Sequence, residues 1–342
     1  MSNYLYSLIK NYRSLSIIGM CKNAGKTTVL NHIIHAAAAG DRQWTLALTS
    51  IGRDGETTDL VTGTAKPRIF VYAGSLIATA AGLLETCDIT KELVLTTGIS
   101  TPLGEIVILR ALSSGYVQLA GPSMISQLEQ LSRTFSQLES CKIIIDGAVG
   151  RKTLCTRSLT EATILCTGAS CGNNMDAVIT DTLYVTKILS LPVISETIRQ
   201  KIIAVKKNND SKIILCGKEY IALPQTMSIE EGLRKNIQND TNHIYINGAL
   251  SNMTAQSLIM SGAKLAGVTL IVDDASKILI TAANYEKLRL RQCEIKVMEG
   301  INLLAITINP FSAYGHNFDK DRFRQSLAEQ TKIPIINVED FS

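Results

Sequence analysis

Gly25, Lys26, Thr27 and Thr28 stand in a row where an apolar run, SLSIIG (14–19), gives way to an apolar-striped stretch, KTTVLNHIIHAAAA (26–39). A strand, a glycine-bearing turn and a helix start, in that order, make an anion cradle. Successive backbone N–H groups and the positive end of the helix then point at one phosphate. In such a loop the lysine spans the β- and γ-phosphates, and the hydroxyl residue after it takes a magnesium ion. Lys26 and Thr27 fit those roles, Thr28 falls near the α-phosphate, and Asn23, Ala24 and Gly25 line the cradle. The chemistry expected is magnesium-dependent binding and hydrolysis of a nucleoside triphosphate, ATP in the first instance with GTP also open. One departure from G-x-x-x-x-G-K-[ST] stands out: the first glycine would fall at Met20, whereas Gly19 lies one place earlier.

Such a site needs carboxylates at strand ends to hold the metal or orient the attacking water. Asp146 ends the apolar run Ile143-Ile144-Ile145 and precedes Gly147, so it is expected as a metal-linked acid. Asp54, in SIGRDGE after the second apolar run, is expected as a second metal-linked or water-activating acid. Glu56 is the alternative for that role, and Arg53 is either a solvated loop residue or a phosphate contact. The catalytic set is therefore Lys26, Asp54 and Asp146, with Thr27, Asp54 and Asp146 as the metal set. Cys21 stands where a deviant K-G-G-x-G-K-T loop carries its extra lysine, and Lys22 follows one residue later.

The elements that must position these residues alternate between short β-rich runs and helical patterns. That alternation predicts an α/β fold with a mainly parallel sheet. Strands are expected at 14–19, 44–52, 105–112, 116–121, 142–147 and 163–168, with helices at 26–39, 123–138 and near 175–191. The stretch 51–106, rich in Gly and Thr, reads as a β-rich insertion. The polar segment KKNNDSK (206–212) suggests a boundary, giving residues 1–205 and a C-terminal α/β region 206–342. Further strands are expected at 212–216, 243–248, 268–274, 303–309 and 333–338. These either extend the first sheet or build a second, and helices are expected at 254–261 and 319–330.

With 34 basic and 30 acidic residues spread along the chain, the clustered basic face that nucleic acid requires is missing. Apolar runs such as 33–39 and 76–84 fall short of the roughly 20 residues that cross a bilayer. The opening MSNYLYSLIKNYR lacks the pattern of a secretory signal, so a cytoplasmic protein is expected. The eight cysteines never form CxxC and lie mostly in apolar stretches, so they are expected as buried free thiols. Cys166 and Cys171 are the nearest pair, with no further ligand close by for zinc.

Several polar residues read as structural. Asn309-Pro310 ends a strand and is expected as a turn, with base reading by Asn309 as the alternative. Asp273 and Asp274 end another apolar run and read as a solvated turn, with a second acidic site as the alternative; His32 and His35 read as helix residues in packing or at the surface, His243 is uninformative, and His316 is assigned no catalytic role.

The loop GMCKNAGKTT, the acid-bearing SIGRDGE and the strand IIIDGA resemble the SIMIBI-type branch of P-loop proteins, which includes metallochaperone NTPases and dethiobiotin synthetases. More closely, GMCKNAGKTTVL, LTSIGRDGE, KPRIFV, TTGISTPLGEIVILRAL, GYVQLAGPS and NPFSAYGHNFD are similar to P-loop subunits of lysine 5,6-aminomutase reactivases, over nearly the whole chain. The resemblance implies a P-loop NTPase fold. It also implies a chaperone that restores an adenosylcobalamin-dependent aminomutase with a second ATPase subunit as partner, without nucleic acid or membrane. Only the phosphate-site residues carry over. The sequence has no cobalamin ligand signature, and a small-molecule kinase or ATP-dependent ligase of the dethiobiotin-synthetase type remains the alternative. A nucleotide sensor without turnover is a third.

Overall fold

The computed structural model describes residues 3–39, 45–52, 68–139, 141–149, 155–208, 211–224, 229–237, 240–260 and 265–341. Helix α1 (Asn3–Ile9) precedes the wholly buried β1 (Ser14–Gly19), and α2 (Lys26–Ala39) follows it with Val29, Leu30, Ile33 and Ile34 turned inward. Then come β2 (Thr45–Ser50), β3 (Ile69–Val71), β4 (Leu76–Ala80), β5 (Lys91–Thr101), β6 (Gly104–Ala111) and β7 (Gly115–Val117). Helix α3 (Ile125–Leu138) leads to β8 (Cys141–Val149), β9 (Ala162–Gly168) and α4 (Met175–Leu189).

Next are α5 (Glu196–Asn208), β10 (Ser211–Cys216), β11 (Tyr220–Pro224), α6 (Ile229–Asn236), β12 (His243–Ile246), β13 (Leu250–Ser251) and α7 (Asn252–Met260). They are followed by β14 (Thr269–Val272), β15 (Ile278–Leu279), α8 (Ala282–Leu290), β16 (Glu294–Val297), β17 (Leu303–Asn309), α9 (Lys320–Ala328) and β18 (Ile335–Asn337).

The chain is a mixed α/β protein that divides into two compact units, residues 1–183 with 302–342, and residues 184–301. The first unit holds a nine-stranded sheet in the order β18-β17-β9-β1-β8-β2-β4-β6-β5. From β18 to β4 neighbouring strands pair in parallel, and the β6 and β5 edge is antiparallel. Strands buried on both faces of a parallel sheet read as unbroken apolar runs, as Ile143-Ile144-Ile145 of β8 does. The β-rich stretch after residue 51 is largely a continuation of this sheet. All five residues of β4 are buried, and the strand lies between β2 and β6.

Lys142 is 3% exposed at the start of β8. Its Nζ donates to the carbonyls of Ile9 at 2.8 Å, Lys10 at 3.3 Å and Tyr12, which closes the end of α1. A cation suits that end, where the last carbonyls of a helix are left without backbone donors.

The second unit holds a five-stranded sheet, β11-β10-β12-β14-β16. In it β12, β14 and β16 are parallel and β10 is antiparallel to both its neighbours. Ile202 of α5 packs with Ile214, Tyr245, Ile271 and Met298 in its core. The boundary expected at 205/206 falls within α5, where Lys206 and Lys207 occupy the last turn. That polar run is a helix end, where cations suit the macrodipole. Strands β17 and β18 return to the first sheet. No helix among the described residues is long and apolar enough to cross a membrane.

Candidate functional site

Strand β1 lies between β8 and β9, with Ile17 opposite Asp146 and Gly19 opposite Cys166. The N–H of Met20 still donates to the carbonyl of Cys166 at 2.9 Å, and beyond that bond the chain turns away from the sheet. Two residues with left-handed backbones shape the loop, Asn23 at φ 59° and Gly25 at φ 93°. At Gly25 the requirement for glycine is conformational. A Cβ there would lie 3.4 Å from both Asn309 Cβ and Val338 Cγ1. Ala24 is fully buried and anchors the turn in the core, and the first helical bond of α2 runs from the N–H of Val29 to the carbonyl of Gly25 at 3.0 Å.

Lys26 folds back over this turn, its Nζ donating to the carbonyl of Cys21 at 3.3 Å. The early glycine of the sequence pattern then has a physical reason. A Cβ on Gly19 would sit 2.9 Å from Lys26 Nζ and 3.2 Å from the Cys21 carbonyl, so glycine at 19 leaves the groove in which the lysine lies.

Asp146 lies on β8 between Ile17 of β1 and Ser50 of β2. Although the residue as a whole is half-buried, its Oδ1 is shut off from solvent and has no hydrogen-bond partner among the described residues. Burial pushes the carboxyl up to about 6, with the positive charge of Lys26 opposing that rise. The Nδ2 of Asn23, in the loop, is likewise buried and unpartnered. Buried polar atoms are nearly always satisfied, so two such atoms around one loop are an unusual concentration.

The segment leading to the second acid is held firmly up to its last described residue. Ile51 N–H donates to the Asp146 carbonyl at 3.2 Å, and Gly52 N–H donates to the Pro122 carbonyl at 3.0 Å. Arg53, Asp54 and Glu56 lie outside the described residues. Lys26 and Thr27 are half-buried at the start of α2 and Thr28 is exposed. Lys26, Thr27 and the loop backbone thus gather at one end of β1, in the electrostatic reach of Asp146. Among the described residues no group of three His, Cys, Asp or Glu side chains could hold a metal by itself. The hard-oxygen donors whose chemistry suits magnesium are the Thr27 hydroxyl and the Asp146 carboxylate, whose Oδ1 is unpartnered.

Two features escaped the sequence reading. The first corrects the expectation of free thiols: Cys21, inside the loop, is disulfide-bonded to Cys171, with Cα atoms 5.2 Å apart and 150 residues between them, while the other six cysteines remain thiols. Cys166 and Cys171 are the nearest pair in sequence, but it is the loop after β1 and the turn after β9 that bring Cys21 to Cys171. The second is His316. Its Nε2 lies 2.8 Å from the carbonyl of Ala169 and 3.1 Å from that of Gly172, so this nitrogen carries the proton and braces the turn that bears Cys171.

The residues read as structural have occupied side chains. Asn309 donates from Nδ2 to the Asn23 carbonyl at 3.3 Å and accepts from Phe311 N–H at 3.2 Å. It therefore ties the loop to β17 while forming the expected turn. His32 stacks on Phe341 with ring centres 3.9 Å apart, and His35 Nδ1 lies 2.8 Å from the Tyr72 hydroxyl. In the second unit Asp273 accepts from the Tyr245 hydroxyl at 2.7 Å and pairs with Lys206 at 3.4 Å, and Asp274 accepts from Ser276 N–H at 2.7 Å. Compared with protein-family models, curated proteins and solved structures, the chain matches none.

Proposed function

We propose that the first unit binds ATP, with GTP as the second choice, and hydrolyses it with magnesium at the loop 19–28. The observation that carries this reading is Oδ1 of Asp146, buried and unpartnered, in the field of a lysine that lies along the loop of a strand–turn–helix junction. An isolated buried charge is costly, and a cation with its water ligands would offset that cost. Thr27 and Asp146 would hold the magnesium ion. When bound, the ion supplies charge neutralisation on the phosphate oxygens. The backbone amides from Asn23 to Thr28 and the start of α2 bind the phosphates. Lys26 Nζ leaves the Cys21 carbonyl and places its charge where negative charge develops in phosphoryl transfer. Asp54 is the acid assigned to orienting the attacking water, from its place in the sequence after β2.

Turnover of nucleotide in this reading drives a reactivating chaperone, which opens an adenosylcobalamin-dependent aminomutase of the lysine 5,6-aminomutase type with a second ATPase subunit. That client rests on the resemblance of the sequence segments. Ordering of loops by a bound triphosphate is the physical lever that such a chaperone uses. Hydrolysis of ATP and GTP by the wild type and by Lys26→Ala, alone and with turnover-inactivated aminomutase, is the test. Recovery of mutase activity that is lost in Lys26→Ala supports the chaperone. Nucleotide binding without recovery, together with phosphorylation or condensation of a metabolite, moves the assignment to a small-molecule kinase or ligase. Failure to bind either nucleotide overturns the reading.

A further inference from the structure

We propose that Cys21 and Cys171 form a redox latch on the loop: the disulfide holds nucleotide turnover down, and its reduction to two thiols releases it. The inference rests on the nucleotide reading and assigns that site a means of regulation.

Strands β1 and β9 are paired as far as Gly19 and Cys166, and the last backbone bond between them runs from Met20 N–H to the Cys166 carbonyl. Past that point β1 turns into the loop and β9 into the single helical turn Ala169–Cys171, so the disulfide is the covalent tie across the gap. Its Cα separation of 5.2 Å is that of an ordinary disulfide, so the two chains need no displacement to be joined. Both residues are half-buried rather than sealed in the core.

The two ends of the bond are held unequally. On the β9 side, His316 Nε2 donates to the Ala169 and Gly172 carbonyls, and Ser170 Oγ accepts from Ala313 N–H at 3.1 Å. That turn keeps its place whether or not the bond exists. On the loop side, Cys21 carries the disulfide on its side chain and accepts the Lys26 ammonium on its carbonyl. One residue therefore links the redox state to the position of the lysine. With the bond intact, the Cys21 carbonyl is fixed and keeps its hold on Lys26. With the bond cut, this segment can shift with the lysine as it moves onto a triphosphate. The limb from Asn23 to Thr28, which cradles phosphate, carries no covalent tie, so binding changes less than turnover.

The chemistry balances as thiol–disulfide exchange. A dithiol of the thioredoxin class gives two electrons and two protons to the Cys21–Cys171 bond, leaves two thiols, and is itself oxidised to a disulfide. Oxidised glutathione drives the reverse.

The test uses the full chain, oxidised with glutathione disulfide or reduced with dithiothreitol, with the pairing of Cys21 and Cys171 read by alkylation and peptide mass. Magnesium-dependent hydrolysis and equilibrium binding of ATP and GTP are measured in both forms, and in Cys171→Ser under both treatments. The expected result is turnover at least about tenfold slower in the oxidised wild type, binding within about threefold, and Cys171→Ser at the reduced rate under either treatment. Equal turnover in the two verified forms overturns the latch, as do binding without hydrolysis in both forms, absence of the pairing after oxidation, or equal slowing of Cys171→Ser by oxidant. Binding in both forms with equal turnover removes the latch alone. Binding in neither removes the nucleotide reading and the latch with it.

Discussion

Asp146 and Asp273 look alike in sequence, each following a run of three apolar residues, IIID in one unit and LIVD in the other, yet Asp146 lies within β8, Asp273 just past β14, and the two acids have opposite surroundings. Around Asp273 the acids are answered by Tyr245, Lys206 and a backbone N–H at Ser276. Around Asp146 one oxygen is dry and without a partner, and the nearest charge, Lys26, hydrogen-bonds a loop carbonyl. A strand acid whose bonds are complete supports the fold. One whose bonds are incomplete costs stability, and the cost is understandable when something else binds there.

The largest expected effect tests the unsatisfied site directly. Lys26→Ala should lower hydrolysis by about a thousandfold, read in a steady-state phosphate-release assay, with little change in melting temperature. Asp146→Asn should follow with a loss of about a hundredfold in turnover and, against the usual trend for core substitutions, a gain of about 1–2 kcal/mol in stability without ligand. That gain is set below the roughly 3 kcal/mol that two pKa units represent, because only one oxygen is dry.

The pH dependence has a definite sign. The folded carboxyl, at about 6, binds its proton more tightly than the unfolded one at 3.8. Its contribution to stability is thus fully present below about 3.8, is lost as pH rises through 6, and is absent from Asp146→Asn. Chemical denaturation at pH 4.5 and pH 7.5 reads the difference.

Asp273→Asn should do the reverse of Asp146→Asn, lowering stability by about 1 kcal/mol through its weakened contact with Lys206 while leaving hydrolysis unchanged. If both substitutions shift stability in the same direction, the contrast between the two acids fails. The smallest expected effect belongs to Gly19→Ala. The far end of Lys26 is flexible enough to move away from the new Cβ, so turnover should fall about three- to tenfold with the fold retained. An unchanged rate would show that the groove at Gly19 does not set the position of the lysine.

Much of this was legible in the sequence where the signal is local. Lys26–Ala39 and Leu303–Asn309 begin and end where their apolar patterns do, and Asp146 stands out because an acid after three isoleucines is conspicuous. What depended on distant pairing was not legible. The run after residue 51 reads as an insertion because its strands find their partners far along the chain, β4 with β2 and β6, and β3 with β7. The segment beginning at Lys206 reads as a boundary because the last turn of α5, with Lys206 and Lys207, is as polar as a loop. The dry oxygen of Asp146 and the Cys21–Cys171 bond are products of sheet register, which no window of neighbouring residues contains.

The return of β17 to the first sheet has a consequence for the newly made chain. Strand β9 emerges with one edge paired to β1, but its other neighbour begins only at residue 303, after the whole unit 184–301 has been synthesised. At about 5–20 residues per second, the fully buried strand ATILCTG waits on the order of ten seconds with its outer edge bare. During that interval the nascent protein offers a parallel-sheet edge to any passing strand. A ribosome-bound chaperone, or early folding of the intervening unit, would be of most use to this chain then, and a stall between residues 168 and 303 should yield aggregates sooner than a stall beyond β18.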